Sequence, residues 1–222
     1  MSKEKMIMFN GDMVRAILDG RKTQTRRPLR NQPYQDAKGN WCVNRRGVTS
    51  SLFRKNMSTG KMEPYSFDEF MEQTYKTPQP GDTMLARERA RLVCINYGET
   101  SDRGFFRYMA DGHRTGLVDI PMRLKPLKLG SCVPNGCFKE LVRIKRKVLR
   151  VWFEQIQSIS DKNILAEGVK CPISMGIGSH CGVNVPCPSL RLAYHELWDS
   201  VYPGSWDRND WVECTEFDKQ QS

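Results

Sequence analysis

Histidine is scarce in this chain, with three in 222 residues, and aromatic residues make up 9%. No apolar run approaches the roughly 18 residues that a membrane span needs. Met1-Ser2-Lys3-Glu4-Lys5 opens onto only a few apolar residues, so a secretory h-region is missing. These absences argue against a membrane partner and predict a cytoplasmic protein. The glycines form no GxGxxG cradle between a strand and a helix. The eight cysteines include no CxxC pair. Cys171, His180, Cys181 and Cys187 could be drawn as a zinc set, but their spacing matches no structural zinc pattern. Scattered, reduced thiols are expected, with no metal and no cofactor.

Acid is also short. Twenty-five Asp and Glu face 35 Lys and Arg, for a formal charge of +10. The excess is clustered: residues 121–150 hold nine basic residues and one acid, Glu140, and residues 21–30 hold five and none. Clustered positive charge suits RNA, a nucleotide or another polyanion. The mean hydropathy of −0.59 is that of a polar chain, still long enough to bury a core.

The segment Gly20-Arg21-Lys22-Thr23-Gln24-Thr25-Arg26-Arg27 stands out. Before it, Met6–Phe9 reads as a strand and Asp12 as the N-cap of a short helix carrying Met13, Val14, Ile17 and Leu18. Gly20 suits the position after the helix. Arg21 and Lys22 have a plain explanation as cations at a helix C-terminus. That explanation leaves out Arg26, Arg27 and the threonines, which suit the start of a strand.

Residues 31–76 are polar and turn-rich and read as an insertion packed on the main fold, with aromatic islands that anchor a hairpin or a short helix near Phe67–Gln73. Short strands follow at Thr83–Arg87, Leu92–Ile95 and Gly104–Met109. Arg87 and Glu88 either bound a site or form an exposed strand-end charge pair. Leu141–Phe153 reads as a strand with Arg143, Lys145 and Lys147 on one face. That face is either an edge protected by lysine or a ribbon that tracks phosphates. Ser160 or Asp161 caps a short helix ending at Gly168, and Glu167 lies in its last turn, where a carboxylate opposes the dipole. On that position alone Glu167 is expected to be exposed. Residues 171–189 form a second, Gly/Pro/Cys-rich insertion. Leu190–Val201 is an amphipathic helix with Leu192, Ala193, Leu197, Trp198 and Val201 as its apolar side, and Trp211–Phe217 is a closing strand. The pattern is that of one α+β domain over residues 1–222: a small β-barrel, short flanking helices and two loop insertions.

Met13–Arg27, Pro80–Glu88, Ile159–Gly168, Leu197–Trp206 and Trp211–Phe217 together resemble the ASCH-domain (activating signal cointegrator homology) proteins of the PUA-like superfamily, above all those of bacteriophages and prophages. The resemblance implies a PUA-like barrel with a groove for RNA or a nucleoside. Some bacterial members are N4-acetylcytidine amidohydrolases, and their catalytic lysine, threonine and glutamate fall on Lys22, Thr25 and Glu167. Relatives continue the Pro-Gly-Asp block into Arg-Glu-Thr-Trp, where this chain has Arg89-Ala90. They also carry an Ile-His-Met-Pro-Arg-Trp segment where it has Ser131–Gly136.

Three readings follow. The first is a module binding RNA or a modified nucleoside in a basic cleft, through Arg21, Arg26, Arg27, Arg87, Arg143, Lys145 and Lys147. The second is an amidohydrolase in which Lys22, made basic by desolvation and neighbouring cations, deprotonates Thr25. Glu167 would orient the site or pass the proton on, and Arg27 would hold an oxyanion or a phosphate. The third is a phage accessory protein that binds a host protein through its insertions.

Overall fold

The computed structural model describes residues 2–98, 102–124, 127–133, 136–170 and 188–219. The fold is mixed α+β, mostly sheet with few helices. Its strands are β1 (Glu4–Met8), β2 (Gln24–Pro28), β3 (Pro33–Gln35), β4 (Trp41–Arg45), β5 (Val48–Ser51), β6 (Phe53–Lys55), β7 (Met62–Pro64), β8 (Thr83–Arg87), β9 (Ala90–Asn96), β10 (Arg103–Tyr108), β11 (Val118–Asp119), β12 (Ile144–Gln155) and β13 (Trp211–Phe217). Its α-helices are α1 (Gly11–Leu18), α2 (Phe67–Thr74), α3 (Asp161–Ala166) and α4 (Pro188–Val201).

The central sheet has the order β1-β8-β12-β13-β2. β1 runs parallel to β8, and the other pairings are antiparallel. A second sheet, β11-β10-β9, follows directly from β8. The expected barrel does not close: β1 and β2 are the two edges of the central sheet, and no ladder joins them among the described residues. Side-chain burial explains why β8 is an interior strand. Met84 and Ala86 pack toward Val14 and Ile17 of α1, while Leu85 packs with Leu92, Phe106 and Leu141 under the second sheet. Alternation along a strand with both faces covered requires such a continuous apolar run.

Several local expectations need correction. The N-cap of α1 is Asn10, whose side chain accepts from the Met13 amide, so the helix starts one residue before Asp12. The long basic strand begins at Ile144, because Lys139–Leu141 form a 3₁₀ turn, and Arg143 therefore precedes the ribbon. In α4 the buried stripe is Leu190, Tyr194 and Trp198, spaced four residues apart, whereas Leu192 is 57% and Val201 41% exposed. An apolar count that leaves out tyrosine rotates the helix face away from its true direction.

The insertion at 31–76 is ordered into the β3-β4-β5 sheet, the β6-β7 hairpin and α2. Ser66 and Glu69 form a capping box at the start of α2. Trp41 and Phe67 lie 4.7 Å apart, and Phe67 lies 4.6 Å from Trp211 of the central sheet, so an aromatic cluster fastens the insertion. The insertion expected at 171–189 falls almost wholly on residues 171–187, outside the described residues, as do Cys171, His180, Cys181 and Cys187. No helix among the described residues is long and apolar enough to cross a membrane.

Candidate functional site

The basic segment leaves α1 through Gly20, which takes the positive φ of 70° expected after a helix end. Two residues on, the chain meets the far end of α3. The Thr23 amide donates to the Ala166 carbonyl at 2.8 Å, and Lys22 and Glu167 form an isolated antiparallel bridge. Gly168 permits this approach. Its φ is +88°, and a Cβ there would lie 2.8 Å from Ala16 Cβ and 3.0 Å from Lys22 Cβ. The Gly168 carbonyl also accepts from Arg21, whose other contact is Asp19.

Lys22 is therefore no exposed helix-end cation. It is 1% exposed, and its ammonium donates to the Glu167 carbonyl at 3.0 Å and to Glu167 Oε2. Glu167 is 7% exposed, against the expectation for its position. Its second oxygen accepts from Arg26 Nη1 at 3.1 Å. Arg26 Nε donates to Glu154 of β12 at 2.7 Å. Two cations thus offset the unfavourable end of the helix dipole at Glu167. Burial pushes the Lys22 ammonium below its ordinary value, against the opposing pull of Glu167. Burial also disfavours the Arg26 charge, but Glu167 and Glu154 outweigh it and hold that guanidinium firmly protonated.

Thr25, Arg26, Arg27 and Glu167 line a cavity of about 470 Å³ together with Met8, Tyr194, Trp198 and Tyr202. The opposite wall belongs to α4, whose Trp198 ring lies 4.8 Å from that of Tyr202. Thr25 is 5% exposed and lines the cavity. Arg27 donates to the Tyr202 hydroxyl at 3.3 Å and to the Met8 carbonyl. Burial, reinforced by Glu167, raises the Tyr194 phenol well above its ordinary value. Lys22 does not line the cavity; it reaches it through Glu167.

The other basic residues separate from this site. Arg143 is spent internally: it holds both oxygens of Glu88, at 2.7 and 2.9 Å, reaches Asp111 at 2.8 Å and stacks 4.0 Å from the Tyr108 ring. Glu88 is 1% exposed and ion-paired with Arg143, so it is not the exposed strand-end charge expected beside Arg87. Arg87 Nε donates instead to the Cys137 carbonyl. Lys145 and Lys147 are exposed on β12. Arg146, which interrupts the apolar face, is itself buried.

A hydroxyl, a buried ion pair and an aromatic wall around one cavity can bind a flat heterocycle and carry an acyl transfer. Sequence reasoning missed Tyr194, Tyr202 and Glu154. The four-residue spacing of Tyr194 and Trp198 was the signal available for the first. Nothing local marks Glu154. Among the described residues no cluster of His, Cys, Asp and Glu could hold a metal. Compared with family models, with curated proteins and with solved structures, the chain matches none.

Proposed function

We propose that the cavity binds a nucleoside-sized heterocycle and that Thr25, with the Lys22–Glu167 pair, hydrolyses an amide on it, as the resemblance to N4-acetylcytidine amidohydrolases implies. The observation that carries this reading is the convergence of residues 145 positions apart: Lys22 on Glu167, which lines the same cavity as Thr25. A buried ion pair is weak support for stability, since desolvation offsets much of its attraction. Its use here is chemical.

Thr25 Oγ attacks the amide carbonyl carbon, and its proton passes to the Lys22–Glu167 pair. The buried Arg26 guanidinium stabilises the resulting oxyanion. The C–N bond then breaks, and the pair returns the proton to the departing amine. Water hydrolyses the acyl-threonine, releasing a carboxylic acid and restoring the hydroxyl. The test is turnover of N4-acetylcytidine followed by the appearance of cytidine and acetate. No turnover by clean wild-type protein would end this reading. The PUA-like affinity of the fold belongs to the same proposal; the arrangement of an α+β sheet around the basic segment supports it, with an open rather than closed ladder.

A second reading, RNA binding, is favoured by a separate observation. Lys145, Lys147 and Arg150 are exposed along β12. Such a row would contact phosphates, and its affinity would fall steeply with salt.

A further inference from the structure

The cavity wall is unbalanced in charge and in hydrogen bonding. Arg26 and Arg27 line it as cations against the carboxylate of Glu167, with Lys22 and Glu154 paired behind them. All four oxygens of those carboxylates are taken: by Lys22 and Arg26 at Glu167, and by Arg26 and Trp152 at Glu154. Arg27 has no carboxylate partner among the described residues; its contacts are a hydroxyl and a carbonyl. Meanwhile four cavity-lining side chains bury a polar atom with no partner among the described residues: Arg26 Nη2, Arg27 Nε, Tyr194 OH and Trp198 Nε1. Three of these can only donate, and the tyrosine hydroxyl can donate as well. Tyr194 is 2% and Arg26 3% exposed.

Buried donors left without acceptors are costly, and native proteins keep few of them. A neutral acetyl group offers a single carbonyl oxygen, too few acceptors for this wall. We propose that the ligand of this cavity carries an anionic group, a carboxylate or a phosphate, seated against Arg27 and beside the buried guanidinium of Arg26. Guanidinium planes suit both groups, since each presents paired oxygens to a planar fork. The inference rests on the proposed function in placing the ligand in this cavity, and it narrows the substrate class. The anion is either the far end of a dicarboxylic acyl group or the phosphate of a nucleotide.

The test is calorimetric titration of the whole chain with two matched pairs: cytidine against cytidine 5′-monophosphate, and N4-acetylcytidine against N4-succinylcytidine. At least one anionic member is expected to bind about tenfold or more tightly than its neutral partner. The pair that shows the preference identifies the source of the charge. Arg27→Gln should remove that preference, and Arg27→Lys, which keeps the charge but not the fork, should retain part of it. Equal affinities within both pairs would overturn the proposal and assign those donors to water. So would a preference that survives in a folded Arg27→Gln. If that variant does not fold, the wild-type comparison still decides. Inorganic phosphate and succinate, titrated alone, separate this inference from the proposed function. Displaceable binding of either anion without nucleoside turnover removes hydrolysis and leaves the anion site. Turnover of N4-acetylcytidine with no preference in either pair does the reverse.

Discussion

In the proposed hydrolysis Thr25 supplies the attacking oxygen. Thr25→Ala should abolish turnover of N4-acetylcytidine while leaving binding within about twofold, because the methyl-for-hydroxyl change removes the attacking atom and little else. Glu167→Gln should lower kcat by about 100-fold or more. The same change leaves Lys22 and Arg26 buried without their shared carboxylate, so chemical denaturation should show a loss of about 3–5 kcal/mol. Lys22 adds a pH signature. Its folded value lies below the ordinary 10.5, so between those two values the unfolded chain binds more protons than the folded one. Stability from this residue therefore rises with pH through that window, and a Lys22→Met variant should lack the rise. Lys22, Thr25 and Glu167 were all legible in the sequence, because a motif fixes residue types at set spacing. Their burial was not. A lysine following a helix end reads as solvated until one knows that a segment 145 residues later packs over it.

The end of α3 shows how little space separates the two halves of the site. Gly168→Ala forces a left-handed backbone on alanine and drives its methyl into Ala16 and Lys22. A turnover loss larger than the loss of melting temperature alone would explain is expected, measured beside Gly20→Ala, which has no atom within 4 Å of the added carbon. At the start of β8, Asp82 accepts from the Lys3 and Gln79 amides, and these bonds hold its carboxyl below the ordinary 3.8. Its contribution is present above 3.8 and is lost as pH falls through the lower folded value. Asp82→Asn should flatten the acid limb of a stability–pH curve. In the insertion, Phe70 is 1% exposed in a cluster with Leu29, Val43 and Met71. Phe70→Ala should cost about 3–5 kcal/mol if the insertion unfolds with the rest, and the denaturation curve should stay a single transition. Helix α2 was readable from its capping residues and aromatic spacing. The sheet before it was not, because β3 to β7 are three to five residues long and paired mostly with one another, so polar turns dominate their sequence.

The net charge of +10 overstates what the surface offers a polyanion. Arg26 and Arg143 are bound up in internal ion pairs, and Arg21 shares its guanidinium with Asp19 and a carbonyl. Composition reveals clusters of charge but says nothing of which cations are already matched. The two functional readings should therefore separate by salt. Between about 50 and 200 mM salt, nucleoside binding in the cavity should change by less than about twofold, whereas binding of single-stranded RNA through Lys145, Lys147 and Arg150 should weaken steeply. Replacing both lysines with glutamate should reduce that salt slope and leave nucleoside turnover unaltered, as measured by filter binding and steady-state kinetics.

The place of β2 at the sheet edge has a consequence for the order in which the protein comes into being. Its only strand partner among the described residues is β13, which runs from Trp211 to Phe217. During synthesis, Thr25, Arg26 and Arg27 leave the ribosome well before β13 and wait, unpaired, until it follows. The α4 wall also emerges late. Closure of so long a loop is slow compared with local folding. A nascent chain can thus complete α1 and the β8–β9–β10 region while Thr25 has neither a strand beside it nor a cavity in front of it. The proposed chemistry therefore waits on β13.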